Sequence, residues 1–267
     1  MTNDQTTPQP SLYIPHGGGP CFFMPDPRGI WREMENYLRD MTARLPRRPQ
    51  AILLISAHWE TTGFALTGAE RPDLIYDYYG FPPETYEIAY PVPGAPWLAQ
   101  RTADLLRAAG LEATIDPDRG LDHGVFIPMK VAFPEADIPL VEMSLDASLD
   151  PALHIQAGEA IAALREENVL VVGSGMSFHN LRAYGDPRAL EPSTLFDRWL
   201  TQAALAPADA RTERLIRWKD APYARASHPR AEHLLPLMVA AGASSSPGRQ
   251  DFGAVVMESA ISGFSFA

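Results

Sequence analysis

The sequence predicts a single α/β domain, with a mostly parallel central sheet and helices on both faces. Three observations point there. Segments 51–57, 138–145 and 168–172 are apolar almost throughout, as strands covered on both sides are. They alternate with stretches of helical periodicity. The chain has 267 residues, which suits one large α/β unit.

In chain order, residues 1–10 read as a polar N-terminal tail and 11–267 as the domain. A first short strand is expected at 12–15. Ile30, Trp31, Met34, Tyr37, Leu38, Met41 and Leu45 recur at helical spacing, predicting a helix over 30–45. Strands follow at 51–57 and 63–67. The 26 prolines are densest between Pro72 and Pro96, which predicts a long stiffened loop. A helix over 96–109 stops at Gly110. After the strand at 138–145, Asp150 and Pro151 supply the N-cap and N1 of a helix over 151–164. A strand at 168–172 precedes a largely helical stretch, 193–218, broken near Pro207. A helix over 230–241 closes at Gly242, with Pro229 near its start and His228 as its N-cap. A late strand is expected at 254–258.

The net charge of −11 comes without a lysine or arginine block, which argues against nucleic-acid and membrane-surface binding. The single cysteine, Cys21, excludes a disulfide within the chain and fits a reducing compartment. The N-terminal residues lack the pattern of a secretory signal, and no apolar run reaches membrane-spanning length. A cytoplasmic protein, monomer or homodimer, is expected.

The chemistry-bearing residues are the histidines, seven in all. His16 in "PHGGGP", His58 in "SAHWE" and His179 in "GSGMSFHN" each follow a predicted strand. Ligands of open α/β sheets bind outside the carboxyl ends of the strands. The three therefore fall on one edge, where neutral imidazoles can ligate metal or move protons. Glu60, two residues beyond His58, either orients that imidazole or is idle. His123 lies in a glycine-flanked loop, "RGLDHGVF", beside Asp122 and Arg119. His228 at a helix mouth aims outward. His233, five residues on, reads as structural, and His154 as a surface or interface residue. A thiolate zinc site, HExxH and the GxSxG elbow are all missing from the sequence.

Five segments taken together, "AILLISAHWET", "YDYYGFPPETYEIAYPVPG", "RGLDHGVFIPMKVAFPEADIPLVEMSL", "VLVVGSGMSFHNLR" and "SHPRAEHLLPLMVAAGA", resemble the class III extradiol ring-cleavage dioxygenases. The similarity is to the single-domain branch that contains 4,5-DOPA extradiol dioxygenase, and it runs from about Leu12 to the C-terminus. It implies a mononuclear non-haem Fe(II) centre held by His16 and His58, with His228 at the third position. It implies His179 as general acid/base and His123 as a substrate-contacting histidine that assists proton handling. Where the family often shows "SHGSP", this chain carries "PHGGGPCFF".

The implied reaction opens the ring of a small substituted, DOPA-like catechol with O2, giving a muconic semialdehyde. O2 reacts slowly with closed-shell organics, so a redox metal in a facial, open site is required. Zinc, an alternative occupant after purification, has no redox chemistry. The aromatic residues of the proline-rich loop, Tyr78, Tyr79 and Phe81 among them, would wall a pocket together with Trp59. Arg182 or Arg119 would meet a substrate carboxylate. Two other readings stay open: a zinc-dependent hydrolase on the same fold, with Glu60 or Asp122 as base, and a non-catalytic binding homologue.

Overall fold

The computed structural model describes residues 7–267. Strand β1 (Ser11–Pro15) leads through the glycine turn to helix α1 (Arg32–Arg39). Next come β2 (Ala51–Thr61), β3 (Phe64–Thr67), helix α2 (Pro96–Ala108), β4 (Ala113–Asp116) and α3 (His123–Ala132). Strand β5 (Leu140–Asp146), helix α4 (Pro151–Ile161) and β6 (Val169–Gly175) follow. Four helices, α5 (Leu190–Ala204), α6 (Ala208–Ile216), α7 (Ala224–Ser227) and α8 (Leu235–Gly242), precede the hairpin of β7 (Gly248–Val256) and β8 (Ser259–Phe266).

The eight strands form one sheet in the order β4-β3-β5-β2-β6-β1-β8-β7. Its centre, β5-β2-β6-β1, is parallel. The β8-β7 hairpin closes one side antiparallel to β1, and β3 joins β5 antiparallel on the other. Alternate residues of the central strands go to opposite cores. Leu53, Ile55, Val169 and Val171 face one core, built with α2, α4, α5, α6 and α8. Ile52, Leu54, Leu170 and Val172 face the other, built with α1 and α3. Fully burying one such side chain stabilises by roughly 1.5–3 kcal/mol, which explains why these strands are mostly apolar.

Several boundaries differ from expectation, each for a physical reason. The first long helix stops at Arg39, and only a 3-10 turn over Thr42–Arg44 continues it. β2 runs on to Thr61 through a register shift against β5, so His58 sits inside the strand and not after it. The "LDHGVF" stretch is the start of α3 and not a loop. The late strand is a full hairpin, turning at Met257 and Glu258, both with positive φ (48° and 61°), a type I′ geometry normally signalled by Asn-Gly. Of the expected tail, residues 1–6 lie outside the described residues. Gln9 is buried, its backbone N–H donating to Arg165 O at 3.1 Å.

The largest shift concerns the expected helix over 230–241, which begins only at Leu235. The carbonyl of His233 is taken by the N–H of Met176 (3.1 Å) and the hydroxyl of Tyr13 (2.8 Å). Residues 231–234 are thereby docked on the end of β6. Gly175 permits it, since a Cβ there would stand 2.2 Å from the His233 oxygen.

Candidate functional site

Five histidines converge at the carboxyl edge of the parallel strands. His16 follows β1 and is buried, its backbone N–H bonded to Gly175 O at 3.2 Å. Its Nδ1 lies 3.1 Å from Ser174 Oγ. That hydroxyl donates to Gly124 O, so it accepts from His16, which leaves the Nε2 lone pair free. The Nε2 atoms of His16 and His58 stand 3.3 Å apart. His123 opens α3, with ring centroids 4.0 Å from His58 and 5.7 Å from His16. His233 brings its ring to 5.2 Å from His16 and 4.8 Å from His58. His179 stacks on His233 at 3.3 Å and 15°.

Two carboxylates orient the group. Asp77, from the proline-rich loop, accepts at Oδ1 from both Nδ1 (2.8 Å) and backbone N–H (2.9 Å) of His123. Its Oδ2 lies 3.7 Å from His58 Nδ1. Asp77 thus caps α3, while the adjacent Asp122 turns away to Ser56 Oγ (2.7 Å) and Arg119 (3.3 Å). Glu232 Oε1 faces His233 Nδ1 at 3.0 Å and His179 Nδ1 at 3.3 Å. Burial opposes ionisation of Asp77 and Glu232. Hydrogen bonds from His123 and His179 outweigh it and hold both below the usual carboxylate range.

Three of the imidazoles, His16, His58 and His233, are pushed toward the neutral form. Burial, then neighbouring imidazoles, push His16 and His233 well below the ordinary histidine value. Burial, then His123, pushes His58 down to about 4. These features fit a metal. Neutral imidazole is the ligating form, and bonds of about 2.1 Å at angles between octahedral and tetrahedral put two nitrogens about 3.0–3.4 Å apart. The buried His233 Nε2 has no protein partner. The ligand atoms of His16, His58 and His123 lie within 4.8 Å of one another, as do those of His179, Glu232 and His233.

The structure brings His16, His58, His123 and His179 together, but not His228. The His228 ring packs against Phe196 (5.3 Å) and Trp218 (5.9 Å), with Nε2 2.9 Å from Ser177 O. The expected places of His228 and His233 are therefore exchanged: His233 lies in the cluster and His228 outside it. His233, read as structural, joins the cluster, because the chain here is a docked turn and not a helix. His154 is also corrected: it is buried, with Nδ1 2.7 Å from Asp150 O and Nε2 accepting from Asp146 N–H.

Of the expected substrate-contacting residues, Tyr78 is placed at the site, edge-on to His123 at 5.7 Å, with its hydroxyl donating to Thr85 O. Phe81 backs Tyr78 edge-on at 5.5 Å. Tyr79 is not gathered in: its side chain is 92% exposed. Trp59, next to His58 in the irregular stretch of β2, is buried, and its ring carries the Arg119 guanidinium at 4.9 Å. Arg182 is exposed on the turn after His179. Glu60 neither orients His58 nor stands idle: it pairs with Arg230 through two guanidinium nitrogens. Sequence reasoning missed Asp77, Glu232 and Ser174. The available signals were Asp77 within "YDYYGFP" and Glu232 directly beside His233.

Comparison with known proteins finds relatives over most of the chain. The family described as the catalytic LigB subunit of aromatic ring-opening dioxygenase matches residues 13–263. The dioxygenase tasH of Hapsidospora irregularis is 42% identical over 257 residues, covering 88% of this chain and 78% of that protein. A 4,5-DOPA dioxygenase extradiol of Escherichia coli K12 is 36% identical over 244 residues, covering 89% and 86%. Its namesake in Beta vulgaris is 35% identical over 240 residues, covering 88% and 86%. The crystal structure of an uncharacterized protein from Escherichia coli K12 superposes with a TM-score of 0.80 at 29% identity, covering 97% of this chain and all (100%) of that one. Among the described residues, no helix is long and apolar enough to cross a membrane.

Proposed function

The chain belongs to the LigB family of aromatic ring-opening dioxygenases, and from that premise we propose that it is a non-haem Fe(II)-dependent extradiol dioxygenase acting on a small, DOPA-like catechol. The product would be a muconic semialdehyde. The observation that carries this reading is the gathering of five imidazoles at one sheet edge, the Nε2 atoms of His16 and His58 standing 3.3 Å apart and the Nδ1 atoms facing a serine or a carboxylate. His16, His58 and His233 would hold the metal. Iron held there would supply the redox chemistry that O2 requires and would lower the pKa of a ligated catechol oxygen.

The remaining steps belong to side chains. His179, its Nδ1 on Glu232, accepts the second phenolic proton at Nε2 and returns it later in the reaction. Such acid–base assistance is typically worth about 10²–10⁴-fold. His123 donates or accepts a hydrogen bond to the bound catechol while Asp77 fixes its ring. Tyr78 and Phe81 offer aromatic edges to the substrate ring. The zinc hydrolase reading lacks a free carboxylate base: Asp77, Glu232, Glu60 and Asp122 are each engaged by histidine, arginine or serine. O2 uptake by Fe(II)-reconstituted protein over a panel of catechols tests the proposal. Uptake matched one-to-one by a yellow product is expected. Bound iron with no uptake across the panel would contradict it.

A further inference from the structure

Glu232 faces two imidazoles at once, at 3.0 and 3.3 Å, through a single oxygen. The two rings, His233 and His179, lie face to face at 3.3 Å. Its other oxygen points toward Arg230 at 3.6 Å, and Arg230 is itself clasped by Glu60 at the end of β2. The Glu232 carboxylate is only 13% exposed and is held between this brace and the rings. An ionised carboxylate only accepts, so each facing Nδ1 must carry its proton. A neutral ring protonated at Nδ1 presents a lone pair at Nε2. The His233 Nε2 is buried with no other partner, which is how a ligating nitrogen stands before its metal arrives.

We propose that Glu232 is a positioning residue whose one oxygen sets the Nδ1–H tautomer of both His233 and His179. It thereby aims one Nε2 lone pair at the metal and the other at the substrate proton. The inference rests on the reading of His16, His58 and His233 as the metal-holding group. It ties metal retention and proton handling to one side chain, so its removal strikes both. Backing groups of this kind are typically worth about 10–100-fold in metal affinity.

The test compares wild type, Glu232→Ala and Glu232→Gln. Alanine removes the acceptor, whereas glutamine keeps an acceptor oxygen and loses only the charge. Two readouts are independent of turnover: imidazole tautomers by ¹⁵N NMR of the metal-free protein, and Zn(II) affinity by competition with a chelator. The expected result is a single Nδ1–H form for both rings in wild type, lost in Glu232→Ala, with Zn(II) affinity down by about 10–100-fold. Glu232→Gln should recover most of both. Equal tautomers and equal affinity in all three proteins would overturn the inference while leaving the metal site standing. Equal loss in Ala and Gln would overturn it too, because charge or folding would then be the cause. Wild type that binds no Zn(II) would remove the metal reading and this inference with it. If Glu232→Ala does not fold, Glu232→Asp replaces it: the shorter arm draws the oxygen back from both rings, and the same loss is expected.

Discussion

His228 and His233 stand five residues apart in one segment, yet one lies among Phe196 and Trp218 and the other among imidazoles. His233→Ala is expected to lose most bound metal, read by metal analysis after anaerobic reconstitution. His228→Ala should keep its metal and lose about 0.5–3 kcal/mol of stability through a cavity and a broken bond to Ser177 O. The reverse pattern would restore His228 as a ligand. His179→Gln should retain metal while kcat falls by about 10²–10⁴-fold, because a proton carrier is lost and the ligands remain. Loss of metal in that variant would make His179 a ligand. His16 and His179 were legible because strand ends of a parallel sheet share one edge, and His58 joins them where the register of β2 shifts, although the strand runs on past it. His233 was not, since helical periodicity assigned it a face that the chain, tied to β6 through its own carbonyl, never forms. Asp77 was invisible for another reason: it acts on His123 across 46 residues, a pairing local pattern cannot express.

The helix α3 joins the site to the fold, and its cap comes from outside it. Asp77→Ala should lower stability by about 0.5–2 kcal/mol, the usual worth of a capping carboxylate, and weaken turnover through His123. Unchanged thermal unfolding together with unchanged kcat would refute that role. Helices α4 and α8 pack through glycines: a Cβ on Gly158 would stand 2.2 Å from Val239 O, with backbone and not a movable side chain in the way. Gly158→Ala is therefore expected to cost about 1–3 kcal/mol, as overpacking does, read as a lower denaturation midpoint at unchanged slope. Helices with an exposed face, such as α2 and α5, were legible from periodicity. α3 was not, because it is buried on nearly every side, carries Gly124 and Pro128, and so shows no amphipathic stripe. β8 escaped because its serines and glycine do not read as a strand, although all eight of its residues are buried between β1 and β7.

Across the whole molecule, buried imidazoles link stability to pH. His228 is pushed down to about 4 by burial, and so is His58. A depressed folded-state value means the unfolded chain binds more protons below pH 6.5. Their contribution is complete above that value and is lost as pH falls through about 4, by up to about 1.4 kcal/mol per pH unit for each group. The metal-free protein should therefore melt at falling temperature from pH 6.5 to 4, and His228→Phe should show a shallower decline. Parallel curves would contradict the linkage. Glu142 acts in the other direction: burial and the nearby Asp122 raise it, so its contribution is complete in acid and fades as pH rises. The fold class was readable from the apolar central strands, and the site from their shared edge. The antiparallel flanks and the carboxylates that aim the rings needed the three-dimensional arrangement. The fate of O2 distinguishes ring opening most directly. Turnover of a catechol by the Fe(II) protein under ¹⁸O2 should place both labelled atoms in one ring-opened product, read by mass spectrometry. A product carrying one labelled atom or none, with the ring intact, would contradict ring-opening dioxygenation.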